Sequence, residues 1–418
     1  CIINIFSLFF NKKWYNPYIS YKIGEEVTIV KKIIIIGAGA SGVYLSILLK
    51  QKLEYQCEII VLEQNASPLK KLLATGNGRC NLSNKDMSVD YFSTDQKDYV
   101  QDIIDQFDML KQMNELGLYC VYQGNLLYPK SEQALSVKQV MMNCANELGV
   151  SFFYNQEVIS IEQSKRYLVH TTHQTYQADY VIFAMGSEAG KLSGVNNSRY
   201  DILKKLKLDV VKSTPSLVQM TTLPVIKEWK GVRVKGTFSL LENNQCIHKE
   251  KGELLFTDYG VSGIAVMQLS AFYQENHQYE LSIDFFDDQD VKKLHEYVEL
   301  RMNKGYNHFY DGLLHNKIST YFARRNLTST LEIVKLFKDF RLQVTGIRSY
   351  ETAQVMKGGL SLLEVNHDLQ IEKYPHLYAV GEILNVAGLC GGYNLHFAFA
   401  SAYRVAQAIE REFHAKNK

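Results

Sequence analysis

Residues 29–50 read IVKKIIIIGAGASGVYLSILLK. The four consecutive isoleucines at 33–36 predict a strand that is apolar on both faces, which is typical of a buried parallel strand. Gly37, Gly39 and Gly42 follow in the spacing G-x-G-x-x-G. They allow, in that order, a tight turn, a close approach of the backbone to a pyrophosphate, and a close contact between helix and strand. The free N–H groups at the start of the next helix would face the phosphates. We expect cofactor contacts in this turn at Gly37, Ala38, Gly39, Ala40, Ser41 and Gly42.

The next strand, CEIIVLE, ends at Glu63, twenty-one residues beyond Gly42. A carboxylate in this place can accept both hydroxyl groups of a ribose, and no arginine lies beside it to receive a phosphate on that ribose. The pattern therefore favours FAD or NAD as the dinucleotide. We expect contacts with it at Glu63 and at the neighbouring Gln64.

The segment GNGRCN favours a flavin over a plain NAD domain. Its glycines give the loop conformational freedom, while its amides and one guanidinium can hold a diphosphate or the edge of a flavin. The residues expected to do so are Gly76, Asn77, Gly78, Arg79, Cys80 and Asn81.

With these motifs and the tail GEILNVAGLCGGYNLHFAFAS at 381–401, the sequence resembles the BaiN/RdsA family of NAD(P)/FAD-dependent oxidoreductases from about residue 31 to 410. Further landmarks in the same order are GNLLYPK at 124–130, ADYVIFAMGSEAG at 178–190, GELLFTDYGVSGIAVMQLS at 252–270 and AQVMKGGL at 353–360. The chain departs from the family pattern at Asn385, Ile264 and Ala402, where Asp, Pro and Gly are usual. Because the first departure removes a carboxylate near the flavin end, it bears on the substrate more than on FAD binding.

The resemblance implies an α/β fold with a glutathione-reductase-like FAD-binding Rossmann domain that is split in sequence and carries an inserted β-rich domain and a small helical domain. Strand-like stretches such as VRVKGTFSLL and helix-like stretches such as TSTLEIVKLFKDF agree with this order. We expect the insertion to cover the flavin and form the substrate pocket. The expected segments are 1–27 as an extension outside the fold, 28–190 and 345–418 as the two parts of the FAD domain, 191–286 as the β-rich domain and 287–344 as the helical domain.

The tail is the part of the chain that, by this resemblance, crosses the flavin. Glu382 is then placed to accept a hydroxyl group of the ribityl chain, and the amides of Gly391 and Gly392 to face N1 and the C2 carbonyl of the flavin ring. Reduction brings negative charge to that edge, and N–H groups at a helix start stabilise it by roughly 1 to 2 kcal/mol. The other contacts that the resemblance implies are Val158, Ala184, Gly186, Gly381, Tyr393 and Asn394.

A catalytic acid or base is not evident from the sequence. His396, Tyr393 and Cys390 are candidates, as is Tyr259, but a hydrogen-bonded structural role for His396 and apolar packing of Cys80 and Cys390 are the favoured interpretations. The seven cysteines include no C-x-x-C pair, so we expect free thiols in a reducing cytoplasm and no metal site.

The composition of the chain limits its partners. The 46 basic and 44 acidic residues give a formal net charge of +2, so no global field attracts nucleic acid or an anionic membrane. The apolar run near residue 10 is too short to span a bilayer, and we expect no membrane association. The only residues that suggest phosphate binding are the adjacent Arg324 and Arg325 in YFARRN. The oligomeric state is left open.

We therefore expect hydride transfer from NADH or NADPH to FAD and onward to a polarised C=C bond. A second G-x-G-x-x-G is missing from the sequence, so the nicotinamide donor would bind transiently. The resemblance implies either a small enone-like substrate or a uracil of ribosomal RNA that becomes dihydrouridine. An amine oxidase that uses O₂ and a flavin-binding protein without catalysis are the alternatives.

Overall fold

The computed structural model describes residues 22–23, 26–27, 30–190, 198–305 and 309–415. The expected extension at 1–27 lies outside the described residues except for two short paired strands. Strands up to residue 190 are β1 (Lys22–Ile23), β2 (Glu26–Val27), β3 (Lys31–Ile36), β4 (Cys57–Leu62), β5 (Ser83–Asn84), β6 (Phe92–Ser93), β7 (Cys120–Gln123), β8 (Leu126–Pro129), β9 (Ser151–Phe153), β10 (Val158–Gln163), β11 (Tyr167–Thr171), β12 (Thr175–Ala178) and β13 (Tyr180–Phe183). Helices in the same part are α1 (Ala40–Leu53), α2 (Lys70–Ala74), α3 (Lys97–Asp105), α4 (Met109–Glu115) and α5 (Ala134–Glu147).

The middle part of the chain begins after residue 197. Its elements are α6 (Ser198–Lys205), β14 (Val210–Ser216), β15 (Met220–Leu223), β16 (Arg233–Glu242), β17 (Gln245–Phe256), β18 (Gly260–Ser262), α7 (Ile264–Ser270), β19 (Tyr279–Asp284), α8 (Val291–Asn303), α9 (Asn316–Ala323), α10 (Thr330–Lys338) and β20 (Phe340–Ile347). The final part contains β21 (Val355–Leu360), β22 (Leu377–Ala379), β23 (Ala387–Gly388) and α11 (Tyr393–Ala415).

A five-stranded parallel sheet is assembled from both ends of the chain. Its order is β22-β13-β3-β4-β9, and Val181 of β13 pairs with Ile34 on one side and with Leu377 of the tail on the other. The isoleucines of β3 are fully or almost fully buried because α1 and α11 pack together over the sheet. The predicted α/β fold, with a split Rossmann-type domain, is confirmed.

The inserted part forms a closed six-stranded barrel of antiparallel strands in the order β15-β18-β17-β16-β19-β20. Its core is aromatic: Trp229, Phe256 and Phe340 are buried and in ring contact. Antiparallel pairing of β14 with β21 joins the barrel to the parallel-sheet domain. The middle of the chain is therefore rich in β-structure, as expected.

The helices expected to form a separate domain at 287–344 share the core of the barrel. Phe322 of α9 and Phe337 of α10 lie in the same buried cluster as Trp229 and Phe340, and β20 continues to Ile347 across the expected boundary. Helical periodicity shows which face of a helix is buried, but not which core receives it. These helices therefore pack on the barrel core, and all the expected domain limits stay predictions.

Candidate functional site

The glycine turn at 37–42 joins β3 to α1, and its three glycines differ in what surrounds them. A Cβ atom on Gly37 would lie 2.3 Å from the carbonyl oxygen of Ala184, and one on Gly42 would lie 2.0 Å from the carbonyl oxygen of Gly37. A Cβ atom on Gly39 would have no described atom within 4 Å. Packing therefore requires glycine at 37 and 42, whereas at 39 glycine keeps a space open in front of the helix.

Glu63 is buried at the end of β4 and holds the glycine turn directly. Its Oε2 accepts a hydrogen bond from the N–H of Ala38 (2.8 Å), and its Oε1 accepts from the backbone and side-chain N–H groups of Asn65 (2.8 and 2.7 Å). A carboxylate accepts about four hydrogen bonds, so one place remains for a ligand. The partly buried Gln64 follows it, and the Glu63 carbonyl accepts from Gln156 (2.8 Å), which brings the start of β10 at Val158 to the same end of the sheet.

The tail returns to the glycine turn at Gly381 and Glu382. A Cβ atom on Gly381 would lie 2.7 Å from Oγ of Ser41, and one on Gly186 would lie 3.9 Å from Oε2 of Glu382. Lys71 donates to both carboxylate oxygens of Glu382 (2.8 and 2.7 Å). The structure therefore brings the first turn, residues 184–186 and the tail together, with an ion pair between them.

Two cations accompany the two carboxylates, and the sequence reasoning missed both. Besides Lys71, the buried Arg199 of α6 lies in the electrostatic field of Glu382 and Glu63; burial lowers its pKa, while these carboxylates act in the opposite direction. The pair KK at 70–71, just ahead of GNGRCN, was a visible signal for Lys71. For Arg199 the sequence gives no signal, since it stands in an ordinary polar helix.

The GNGRCN loop adopts left-handed backbone conformations at Gly76, Asn77, Gly78 and Cys80 (φ of 56°, 55°, 83° and 59°). Arg79 lies against the hairpin β7–β8: its guanidinium stacks over the ring of Tyr128 in β8 (4.4 Å) and pairs with Glu132 just after β8 (2.6 Å). The predicted contact of Arg79 with a diphosphate or a flavin edge stays a prediction beside this ion pair.

Asn81 faces the tail. Its side-chain oxygen is buried without a hydrogen-bond partner among the described residues, and a Cβ atom on Gly392 would approach it to 2.8 Å. An unsatisfied buried acceptor calls for a partner such as a water, an ion or a ligand group.

The segment 388–392, here called the glycine loop, precedes α11. Asn394 accepts from the N–H of Gly388 (2.8 Å) and donates to its carbonyl (2.7 Å), and Asn84 donates to the carbonyl of Gly391 (3.1 Å). Among the described residues, the N–H groups of Gly391 and Gly392 have no acceptor. The loop is thus fixed by side chains and keeps two donors available at the start of a 23-residue helix. The Asn394 amide shapes the loop, and its expected contact with the cofactor stays a prediction.

A profile of the HI0933-like protein Rossmann domain family matches residues 31–408. The chain belongs to this family. It is 28% identical over 406 residues to the 3-dehydro-bile acid delta(4,6)-reductase of Clostridium scindens, covering 91% of this chain and 99% of that one. It is 25% identical over 406 residues to the ribosomal RNA dihydrouridine synthase of Escherichia coli, and the match covers 90% of this chain and 97% of that one. The 3-ketosteroid-delta4-(5alpha)-dehydrogenase of Rhodococcus jostii RHA1 aligns at a TM-score of 0.49 with 14% identity, over 94% of this chain and all of that one, which is too distant to support an argument.

Family membership confirms the resemblance found in the sequence and places the protein among the oxidoreductases. Among the described residues, no helix is long and apolar enough to cross a bilayer. In the same part of the chain, no group of three His, Cys, Asp or Glu side chains is arranged to hold a metal ion.

The candidate acids and bases of this family member lie in different surroundings. His396 is buried, with its Nδ1 2.8 Å from Oγ of Ser83 and its ring edge-on to Phe107, and burial lowers its pKa to about 4. Tyr393 is buried in a stack with Tyr91 (4.7 Å between centroids), and burial raises its pKa. An acid or base role for either side chain stays a prediction.

Cys390 differs from these because it lies where the barrel meets the glycine loop. Its Sγ is 3.8 Å from Oε1 of Gln354, and burial raises the pKa of the thiol to about 12, so it is protonated at neutral pH. Cys80 is fully buried, and its pKa is likewise raised to about 12. Tyr259 lies under the guanidinium of Arg348 (4.8 Å). Neither cysteine has the thiolate character that a nucleophile needs.

Proposed function

We propose that the protein binds FAD across the glycine turn, the GNGRCN loop and the glycine loop, and uses NADH or NADPH to reduce an activated C=C bond. The observation that carries the proposal is that three segments far apart in sequence converge. Gly381 lies against Ser41, Glu382 pairs with Lys71, and Gly392 lies against Asn81. A plain NAD-binding unit would need only the first of these segments.

The residues present fit a flavin dinucleotide. The space in front of Gly39 and the helix start behind it suit a pyrophosphate, and the nearby cations Lys71 and Arg199 would offset its charge. Glu63 has an acceptor place left for a ribose hydroxyl group, and the carboxylate of Glu382 can accept from a polyol chain. The unsatisfied oxygen of Asn81 offers one hydrogen-bond acceptor, and the N–H groups of Gly391 and Gly392 offer two donors. The flavin ring carries both donors and acceptors at its edge and can pair with them.

When bound, FAD would take two electrons as hydride from the nicotinamide and deliver a hydride to the electron-poor carbon of the substrate, while a proton goes to the neighbouring carbon. The protein's part is orientation and electrostatics. The N–H groups of Gly391 and Gly392, together with the dipole of α11, stabilise negative charge at the loop without reorganisation. The neutral thiol of Cys390 lies at this end of the site and is the candidate proton donor.

We place the substrate pocket between the glycine loop and α7 of the barrel. Lys357 of β21 donates to the carbonyls of Ala271 and Tyr273 just after α7 (3.0 and 3.2 Å), and Val218 donates to Oγ of Ser270 (3.0 Å). These bonds hold α7 against β21 and the segment between β14 and β15. Ligand sites favour such interfaces between units, and the covering helix would keep water from the reacting atoms.

Anaerobic mixing of the purified protein with NADH and, separately, NADPH tests this function. We expect the flavin absorbance to bleach with at least one donor. If the flavin keeps its absorbance with both donors, the proposed reductase activity is wrong. Oxygen uptake that depends on an added amine, without bleaching by either donor, would favour the amine oxidase instead.

A groove on the barrel supports RNA as a second candidate substrate. It has a volume of about 620 Å³ and is lined by Lys227, Lys230, Lys317 and Arg324, with Glu228 as the acidic member. Basic side chains along a groove are the usual means of following a phosphate backbone. The two arginines expected to act together are separated here, because Arg325 stacks over the rings of Tyr321 and Phe340 (5.5 and 5.8 Å).

Binding of an rRNA fragment at several salt concentrations tests this candidate. Arg324→Ala should weaken binding and lower the salt slope by roughly 0.7 to 0.9. Arg411→Ala removes the same charge at an exposed, ion-paired position on α11 and serves as the matched control. Equal slopes for the wild type and Arg324→Ala would favour a small enone-like substrate.

We also propose a cytoplasmic location. The six described cysteines are all free thiols, and disulfides are rare in reducing compartments.

A further inference from the structure

The glycine loop has a hydrogen-bond partner that belongs to the barrel. The side chain of Gln268, on α7, accepts from the N–H of Cys390 (2.7 Å) and donates to the carbonyl of the same residue (3.4 Å). One amide side chain therefore holds both backbone groups of a residue that lies 122 positions away in sequence.

The direction of the Gly391 N–H follows from this contact. The carbonyl of Cys390 and the N–H of Gly391 belong to one planar trans peptide, so they point in opposite directions. A donor fixed on the carbonyl thus fixes where the N–H points. In the next peptide, Asn84 does the same for the N–H of Gly392 by donating to the carbonyl of Gly391 (3.1 Å).

Without these two donors, the peptides that precede Gly391 and Gly392 would be free to change orientation. Gly391 and Gly392 have φ of 131° and 93°, and glycine adopts positive and negative φ about equally readily. A freed peptide between Cys390 and Gly391 could rotate, and its N–H would no longer be preorganised.

We infer that Gln268 is a positioning residue through which the barrel aims the Gly391 N–H at the flavin and so sets its reduction potential. The inference rests on the proposed function, because it requires FAD beside the glycine loop. A preorganised donor stabilises the reduced, more negative state more than the oxidised one. Docking of the barrel, which also covers the substrate, is thereby coupled to the electron affinity of the site.

The test is the two-electron midpoint potential of bound FAD in Gln268→Leu and Gln268→Glu, measured by equilibration with a redox dye. We expect Gln268→Leu to lose about tenfold in the preference for reduced over oxidised FAD, which is about 30 mV for a two-electron couple. Gln268→Glu keeps an acceptor for the Cys390 N–H but loses the donor and adds a negative charge, so its potential should fall further. Gln343→Leu, at an exposed position on β20, is the matched control and should leave the potential unchanged.

The outcomes separate this inference from the proposed function. Wild-type protein that binds no FAD would overturn the proposed function, and this inference with it. FAD-loaded variants with the wild-type potential would overturn the inference alone, even if thermal unfolding showed them to be less stable. If Gln268→Leu does not fold, the near-isosteric Gln268→Glu still decides, because an unchanged potential in that variant contradicts the role.

Discussion

Gly39→Val separates folding of the glycine turn from binding of the cofactor. Gly39 has φ −79° and ψ −173°, a conformation open to any residue, and a Cβ atom there would have no described atom within 4 Å. The apoprotein should therefore be as stable as the wild type, or slightly more stable, by about 0.4 to 1 kcal/mol. The valine would occupy the space where the pyrophosphate approaches the N–H groups of α1.

The loss of FAD affinity can be estimated from the contacts prevented. Hydrogen bonds to a charged group contribute about 1.5 to 3 kcal/mol each, so losing two weakens binding by roughly 10² to 10⁴. Titration of the apoprotein with FAD measures the affinity, and thermal unfolding followed by circular dichroism measures stability. Gly42→Val is the control, since its Cβ would lie 2.0 Å from the Gly37 carbonyl and should cost about 3 kcal/mol of stability. A Gly39→Val protein that is yellow and binds FAD like the wild type would refute the assignment of this turn.

Three further predictions concern single side chains. Glu63→Gln should weaken FAD binding by about 1.5 to 3 kcal/mol, because an acceptor is lost beside the Ala38 N–H; unchanged FAD affinity would show that another group holds the ribose. Lys71→Met should weaken FAD binding by about threefold to tenfold at low salt, because Glu382 loses its cation. The effect is small because the ion pair is partly exposed and screened by salt. If the variant and the wild type bind FAD equally well at both low and high salt, this prediction is wrong. The pKa of His396 is lowered by burial to about 4, below its unfolded value of about 6.5, so the unfolded chain binds more protons and stability falls as the pH drops through this window. Urea unfolding should show the wild type losing about 1.6 kcal/mol between pH 6.5 and 5 relative to His396→Asn, and equal losses in the two proteins would mean that another group takes up the protons.

The parts of the fold that follow local rules were predictable from the sequence. The isoleucines of β3 and the spacing of Gly37, Gly39 and Gly42 specify a strand, turn and helix through steric constraints alone. Return of the tail to the same sheet came from the family resemblance, because no local pattern says that Leu377 pairs beside Val181. The same limit applies to the helices at 287–344, whose apolar faces share the barrel core, and their assignment to a domain of their own stays a prediction.

The site shows the same division between local and long-range information. Glycines and acids at fixed distances from a strand could be chosen from the sequence, and the structure brings Glu63 and Glu382 to the glycine turn. The guanidinium of Arg79 contacts Glu132 and Tyr128, some 50 residues further along, which no local pattern reveals, and its role toward a diphosphate stays a prediction. Lys71, Arg199 and Gln268 were missed because each acts on a partner more than 100 residues distant or through the field of such a partner.

The central claim is that this fold uses FAD to pass two electrons from a nicotinamide to a carbon–carbon double bond. Its most direct test is a single turnover: the purified protein is reduced anaerobically with one equivalent of NADH or NADPH, and an α,β-unsaturated ketone or a uridine-containing rRNA fragment is then added. The account predicts that the flavin colour returns without oxygen, together with one saturated product per flavin. Colour that returns only when O₂ is admitted, with both acceptors recovered unchanged, would contradict it.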